Sequence, residues 1–217
     1  MLILSSVMKN FIIALSIIFT TSANRHNIQP KIVNGTDAEI KAFPFIVALK
    51  HNSEFFCAGS LLNNYWIVTA AHCLNKPVDQ ITIEYGTTEI SNGTKGKKET
   101  GVEKLIQHEN FNYSSHKNDI GLIKLKNPLD DITAVKIATN GSHFKTGASS
   151  TVIGWGTISS DGPMSSILQK VDLQIYSYED CKTALHKNIY GLDIYQTNIC
   201  AGVPEKGKST CNGDSGN

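Results

Sequence analysis

The chain has 217 residues, of which 41% are hydrophobic and 18% charged, and this is enough apolar material to bury a core. The formal net charge is +1, and removing the residues before Ile32 leaves 17 basic and 19 acidic residues, a net charge of −2. Without a basic face to offset phosphate repulsion, the composition argues against a nucleic-acid-binding protein. The length suits one large domain or two small ones.

The N-terminus has the pattern of a secretory signal. Lys9 precedes a short apolar run at 11–19, and small residues follow at 21–23. Such a run is too short to span a bilayer, which needs about 20 apolar residues, so a signal is favoured over a membrane anchor. We therefore expect residues 1–23 to be a signal peptide and the protein to be secreted and extracellular.

Short apolar runs separated by turn residues continue to the end of the chain. They are rich in β-branched side chains and bounded by Asn, Gly, Pro or Asp, which is typical of strands. Examples lie at 45–49, 66–68, 120–125 and 151–156. Residues 177–187 are predicted to form a short helix, but no segment has the long 3.6-residue period of a helical bundle. The pattern predicts an all-β sandwich or barrel.

The chain contains five cysteines, an odd number for a secreted protein. An odd number indicates a free thiol, a bridge to another chain, or a partner that this sequence does not contain. The cysteine count alone leaves these three alternatives open.

Three short motifs carry residues suited to nucleophilic catalysis. They are Thr-Ala-Ala-His-Cys at 69–73, Asn-Asp-Ile-Gly-Leu at 118–122 and Gly-Asp-Ser-Gly at 213–216. A serine hydroxyl needs a base within hydrogen-bond reach, an imidazole can take and return its proton, and a carboxylate can orient the imidazole. His72, Asp119 and Ser215, in this order, resemble the triad of the chymotrypsin/trypsin-like serine protease family.

The resemblance covers residues 32–216 and implies a fold. Family members consist of two packed six-stranded Greek-key β-barrels with the active site in the cleft between them. His72 and Asp119 would come from the first barrel and Ser215 from the second. Asn217 stands where the family has a second glycine, and the family continues beyond it. We therefore expect 32–217 to be a protease domain that lacks its C-terminal part, with the second barrel incomplete.

The resemblance also assigns disulfides and an oxyanion hole. The paired cysteines would be Cys57 with Cys73 and Cys181 with Cys200. Cys211 matches a cysteine whose partner lies after the nucleophile, in the part that this sequence lacks. The backbone N–H groups of Gly213 and Ser215 would stabilise the negative charge of the tetrahedral intermediate, and a glycine lets the backbone approach the substrate.

By the same resemblance, the chain is made as a zymogen. Residues 24–31 would be an activation propeptide, and a trypsin-like protease would cut after Lys31. The freed ammonium group of Ile32 would then pair with the Asp214 carboxylate and order the oxyanion loop. A buried ion pair costs much desolvation, so it suits a switch better than a stabilising device.

Primary specificity is predicted from Ser209, six residues before the nucleophile. An aspartate there would select Lys or Arg, because a buried carboxylate needs a cationic partner. Serine lacks that charge, so the resemblance favours a chymotrypsin-like preference for large apolar or aromatic side chains. An elastase-like preference for small side chains stays open.

Two further patterns concern modification and metal binding. Four Asn-X-Ser/Thr sequences are N-glycosylation acceptors, of which we expect one or two to be used. They begin at Asn34, Asn92, Asn112 and Asn140. The family's calcium loop would fall at 87–99, where Thr87 replaces a carboxylate ligand and lysines are abundant. Calcium prefers anionic oxygen ligands, so we expect no calcium, no other metal and no cofactor.

Together these features predict a secreted, monomeric serine endopeptidase that hydrolyses peptide bonds through an acyl-enzyme on Ser215. Its partners would be polypeptide substrates, an activating trypsin-like protease and protein inhibitors of proteases, with no nucleic acid and no membrane. The alternative is a non-catalytic, protease-like binding or regulatory protein, or an inactive fragment. Inactive relatives usually lose a member of the triad, and the presence of all three favours the enzyme.

Overall fold

A computed structural model describes residues 35–90, 98–138, 145–157, 162–188, 194–202 and 215–216. This part of the chain contains one α-helix, α1, at Tyr178–Asn188. Its strands are β1 (Thr36–Asp37), β2 (Ile46–His51), β3 (Glu54–Leu61), β4 (Trp66–Thr69), β5 (Ile81–Tyr85), β6 (Lys98–Gln107), β7 (Gly121–Leu125), β8 (Ser149–Gly154), β9 (Gln169–Tyr176) and β10 (Cys200–Gly202). Short 3₁₀ turns lie at Ile40–Ala42, Ala71–Leu74 and Val78–Gln80.

Strands β2 to β7 form a closed antiparallel barrel in the order β2-β3-β4-β7-β6-β5. Every second residue of β7 is buried, as expected when one face of a strand points to the core. Aliphatic side chains fill the interior of the barrel. Fully buried examples are Val47, Leu49, Leu61, Ile67, Ile83, Ile123 and Leu125. The first of the two six-stranded barrels that the resemblance implies is confirmed.

The remaining strands form a second antiparallel sheet in which β9 pairs with β1, β8 and β10. This sheet packs on the barrel through a cluster centred on the fully buried Trp155, which includes Ile46 of β2. The Thr88 carbonyl oxygen accepts hydrogen bonds from Trp155 Nε1, at 3.0 Å, and from the Leu168 N–H, at 2.8 Å. The two sheets therefore share this cluster, which is separate from the one that fills the barrel. The all-β prediction is confirmed, and α1 lies where a short helix was expected.

An ion pair between Lys50 and Glu84 lies inside the fold. Lys50 is near the end of β2, Glu84 is on the neighbouring β5, and their side chains are 2% and 0% exposed. The Lys50 Nζ and both Glu84 carboxylate oxygens have no other hydrogen-bond partner among the described residues. Two such groups can be buried only because each neutralises the other.

Candidate functional site

The topology of the barrel brings His72 and Asp119 together. His72 lies in the 3₁₀ turn that follows β4, and Asp119 lies just before β7. These strands are antiparallel neighbours with Thr69 opposite Gly121, so the end of one meets the start of the other. A Cβ at Gly121 would overlap the Leu74 side chain and the Ile106 carbonyl oxygen. Glycine therefore allows the close approach of β7 to the turn that carries His72.

Asp119 holds His72 through two hydrogen bonds. Its Oδ2 lies 2.6 Å from His72 Nδ1, and its Oδ1 accepts the His72 backbone N–H at 2.9 Å. The side chains are 32% and 22% exposed, so the pair is sheltered but remains accessible. A carboxylate opposite Nδ1 favours the tautomer with its proton there, because a carboxylate accepts and does not donate. The other ring nitrogen, Nε2, is then free to accept a proton.

The loop before β7 is shaped by two residues in the left-handed region, His116 at φ 51° and Asn118 at φ 58°. Asparagine tolerates this conformation when its side chain bonds locally, and Asn118 Nδ2 donates to the Asn110 carbonyl oxygen at 2.9 Å. The His108 N–H donates to the Ile120 carbonyl oxygen at 3.0 Å and closes the base of the loop. These contacts fix the backbone on both sides of Asp119.

Ser215 lies against the barrel and is half-buried. Its carbonyl oxygen accepts the Ala58 N–H of β3 at 2.9 Å. The same oxygen is 3.9 Å from Cys73 Sγ, a packing contact because a disulfide sulfur has no proton to donate. Cys73 directly follows His72, so the backbone of Ser215 is held beside the turn that carries the imidazole.

Gly216 has no room for a side chain. Its φ is +92°, and a Cβ would overlap the Ala58 carbonyl oxygen and the Thr69 hydroxyl. We expect Gly216→Ala to lower peptidase activity by about 10²-fold or more, because small displacements of a reacting group have effects of this size. Hydrolysis of a peptide substrate by purified protein measures it. Gly101→Ala is the matched control, since its Cβ would meet only ordinary contacts, and equal activity of the two variants contradicts the expectation.

Both disulfides implied by the sequence are formed. Cys57 pairs with Cys73 and Cys181 with Cys200, each with 6.2 Å between the Cα atoms. The first ties β3 to the turn of His72, and the second ties α1 to β10.

The remaining residues assigned from the sequence lie outside the described part of the chain. They are Lys31 and Ile32 of the activation site, Ser209 of the pocket, Gly213 of the oxyanion hole, Asp214, Cys211, and the acceptors Asn34, Asn92 and Asn140. Their assigned roles stay predictions.

The structure adds contacts to His72 that its motif does not reveal. The His116 ring meets the His72 ring edge-to-face, with 6.0 Å between centroids. Gln107 Nε2 donates to the carbonyl oxygen of Ala71 at 2.8 Å and to the Tyr113 hydroxyl at 2.7 Å. A single histidine or glutamine in a loop carries no sequence signal, and only the fold places these residues here.

A cavity of about 680 Å³ opens beside the Asp119 carboxylate. Its lining comes from the barrel and from the segment before β10, and it includes Ser60, Thr69, Ile120, Asn198, Ile199 and Gly216. The cavity therefore lies between the barrel and the segment before β10, and Asp119 of the histidine–aspartate pair is part of its lining.

The cluster of Cys57, His72 and Cys73 has ligand atoms within 4.8 Å of one another. Both sulfurs belong to one disulfide, so neither is a thiolate able to bind a metal. At the predicted calcium loop, the Thr87 hydroxyl donates to the Glu89 carbonyl oxygen and accepts the Glu89 N–H. Thr87, at the position of the family's carboxylate ligand, therefore supplies a neutral hydroxyl that is already engaged with the backbone.

Residues 32–217 match the protein family described as Trypsin. The chain belongs to the trypsin family of serine endopeptidases. It is 36% identical over 197 residues to Trypsin-1 of Astacus astacus, covering 85% of this chain and 80% of that protein.

Two longer mouse proteins are also similar. Ovochymase-2 is 31% identical over 201 residues, covering 89% of this chain and 32% of the relative. Transmembrane protease serine 11C is 32% identical over 192 residues, covering 86% and 43%. The chain thus spans less than half of either. In the described part of the chain, no helix has the length and apolar character needed to cross a membrane.

Proposed function

We propose that this member of the trypsin family hydrolyses peptide bonds through an acyl-enzyme on Ser215. The observation that carries the proposal is the pair of hydrogen bonds by which Asp119 holds His72. The position of the Ser215 carbonyl oxygen supports it, because this oxygen accepts the Ala58 N–H and lies 3.9 Å from Sγ of Cys73, the residue after His72. Polypeptides are the substrates of this family.

In the proposed mechanism, His72 Nε2 takes the Ser215 hydroxyl proton as Oγ attacks the scissile carbonyl carbon. Asp119 stabilises the imidazolium that forms, and the imidazolium then protonates the departing amine as the carbon–nitrogen bond breaks. Water, deprotonated by His72, then attacks the ester carbonyl carbon. The carbon–oxygen bond to Ser215 breaks, the acid is released, and the imidazolium returns the proton to Ser215 Oγ. The N–H groups of Gly213 and Ser215 would stabilise both oxyanions, and one such donor contributes about 3–4 kcal/mol in other serine hydrolases.

The proposal includes a secreted zymogen. Residues 1–23 would be removed as a signal peptide, and 24–31 as a propeptide by a trypsin-like protease. The new N-terminus at Ile32 would pair with Asp214 and order the oxyanion loop. Protein inhibitors would bind the same cleft as substrates, one or two of the four acceptor asparagines would carry glycans, and the protein would act as a monomer.

Ser209 would form the base of the primary pocket. A hydroxyl there provides no charge for Lys or Arg, which supports a chymotrypsin-like preference for large apolar side chains. The elastase-like alternative predicts faster cleavage after Ala or Val, so a library of peptides varied at this position separates the two.

Cleavage after Lys31 tests the activation mechanism and the acyl-enzyme together. We expect the cut protein to release a burst of product from an activated ester, equal to the concentration of active sites, and uncut Lys31→Gln to release none. Lys41→Gln is the control, since Lys41 is exposed and outside the site. A fully active Lys31→Gln protein rules out the zymogen, whereas no burst from the cut wild-type protein rules out the acyl-enzyme.

A further inference from the structure

A surface turn beside His72 contains one of the acceptor sequences. Asn112, Tyr113 and Ser114 begin the 112–117 turn, in which Asn112 and Lys117 face each other as an isolated β-bridge. The Asn112 N–H donates to the Lys117 carbonyl oxygen at 3.1 Å. The asparagine is exposed, as attachment of a glycan requires.

Of the two polar atoms of the Asn112 side-chain amide, only the oxygen takes part in the hydrogen bonds of the turn. Its Oδ1 accepts the N–H groups of Ser114, at 2.9 Å, and Ser115, at 3.0 Å. Its Nδ2 donates to no group among the described residues. N-glycosylation bonds the nitrogen and leaves the oxygen in place. A sugar at Nδ2 would therefore keep both hydrogen bonds that shape the turn.

Two sets of contacts connect the 112–117 turn to His72 and to the residue before it. The Tyr113 hydroxyl accepts from Gln107 Nε2, which also donates to the carbonyl oxygen of Ala71, the residue before His72. Further along the turn, the His116 ring contacts the His72 ring. These contacts would hold a group attached to Asn112 close to His72.

We propose that Asn112 carries an N-linked glycan that stands beside the turn of His72 and slows the approach of macromolecules to His72 but not that of small substrates. In the attachment step, Nδ2 displaces the lipid diphosphate from C1 of a lipid-linked oligosaccharide. A carbon–nitrogen bond forms, the carbon–oxygen bond to the diphosphate breaks, and the amide loses one proton. The inference rests on the proposed function for the secretory route and for the role of the cleft.

Two substitutions of Ser114 test the attachment. Ser114→Ala removes the acceptor sequence, whereas Ser114→Thr retains it, and both keep the backbone N–H that bonds Asn112. When the full chain is secreted from eukaryotic cells, we expect the peptide that contains Asn112 to carry the added mass of a glycan in wild type and in Ser114→Thr. The mass should be absent in Ser114→Ala. An unmodified 112 peptide in the secreted wild-type protein overturns the proposal.

The shielding role is tested with two reagents of different size. Loss of the glycan in Ser114→Ala should raise the association rate of a protein inhibitor of serine proteases several-fold, while labelling by a small fluorophosphonate stays unchanged. Equal inhibitor rates for Ser114→Ala and Ser114→Thr show that the shielding role is wrong. If neither form reacts with the small reagent, the proposed hydrolase function fails, while the peptide mass still decides the attachment.

Discussion

Replacing Asp119 by asparagine should lower kcat by about 10⁴-fold while leaving the fold intact. The asparagine Oδ1 can still accept the His72 backbone N–H, so Nδ2 must face His72 Nδ1. An amide nitrogen donates, and this forces the ring proton onto Nε2. The imidazole then has no lone pair with which to take the serine proton. Steady-state hydrolysis of a peptide substrate measures the loss.

Asp172→Asn is the matched control for Asp119→Asn. Asp172 makes the same kind of contact, accepting the Thr151 hydroxyl at 2.6 Å, but on an exposed face of β9. We expect it to keep full kcat, and both variants should unfold at the same temperature as wild type. If kcat falls by less than tenfold in Asp119→Asn, the aspartate does not set the tautomer of a catalytic His72.

Breaking the buried Lys50–Glu84 ion pair should have a large effect on stability. Lys50→Met leaves Glu84 buried without a partner, and breaking a buried pair in this way costs about 3–5 kcal/mol. The double variant Lys50→Met with Glu84→Met removes both charges. Because apolar side chains of similar size need no compensation, it should recover most of the stability. Urea unfolding of wild type, Lys50→Met, Glu84→Met and the double variant gives the free energy of unfolding of each.

Lys124→Met provides the comparison for an exposed pair. Lys124 contacts Glu103 at 2.8 Å, but the two side chains are 35% and 48% exposed. Solvent screens such pairs, so the loss should stay below about 1 kcal/mol. Equal losses for Lys50→Met and Lys124→Met show that Glu84 is solvated in solution and that the pair is not buried as described.

Short-range patterns predicted the strands well. The runs at 45–49, 66–68 and 120–125 lie in or at the edge of β2, β4 and β7, because alternation and β-branching act locally. The Lys50–Glu84 pair could not be predicted this way. It joins two residues that are 34 positions apart in the chain. A lysine at the end of an apolar run suggests the exposed end of a strand.

The sequence motifs pointed to the residues proposed for the site but not to the residues that support them. His72 and Asp119 were identified by their sequence motifs, and the fold brings them to 2.6 Å. The contact of His116 with His72 joins residues that are far apart in the sequence, and no motif around His116 connects the two. Contacts of this kind result from tertiary packing, and local sequence motifs do not reveal them.

Labelling of the cut protein with a fluorophosphonate tests directly whether His72 activates Ser215 as a nucleophile. We expect one phosphonyl group to be added, peptide mass spectrometry to locate it on Ser215, and His72→Ala, but not His51→Ala, to abolish labelling. Folded protein cut after Lys31 that stays unlabelled at Ser215 contradicts the proposed mechanism. Labelling of His72→Ala at the wild-type rate contradicts it as well, because the serine would then react without its base.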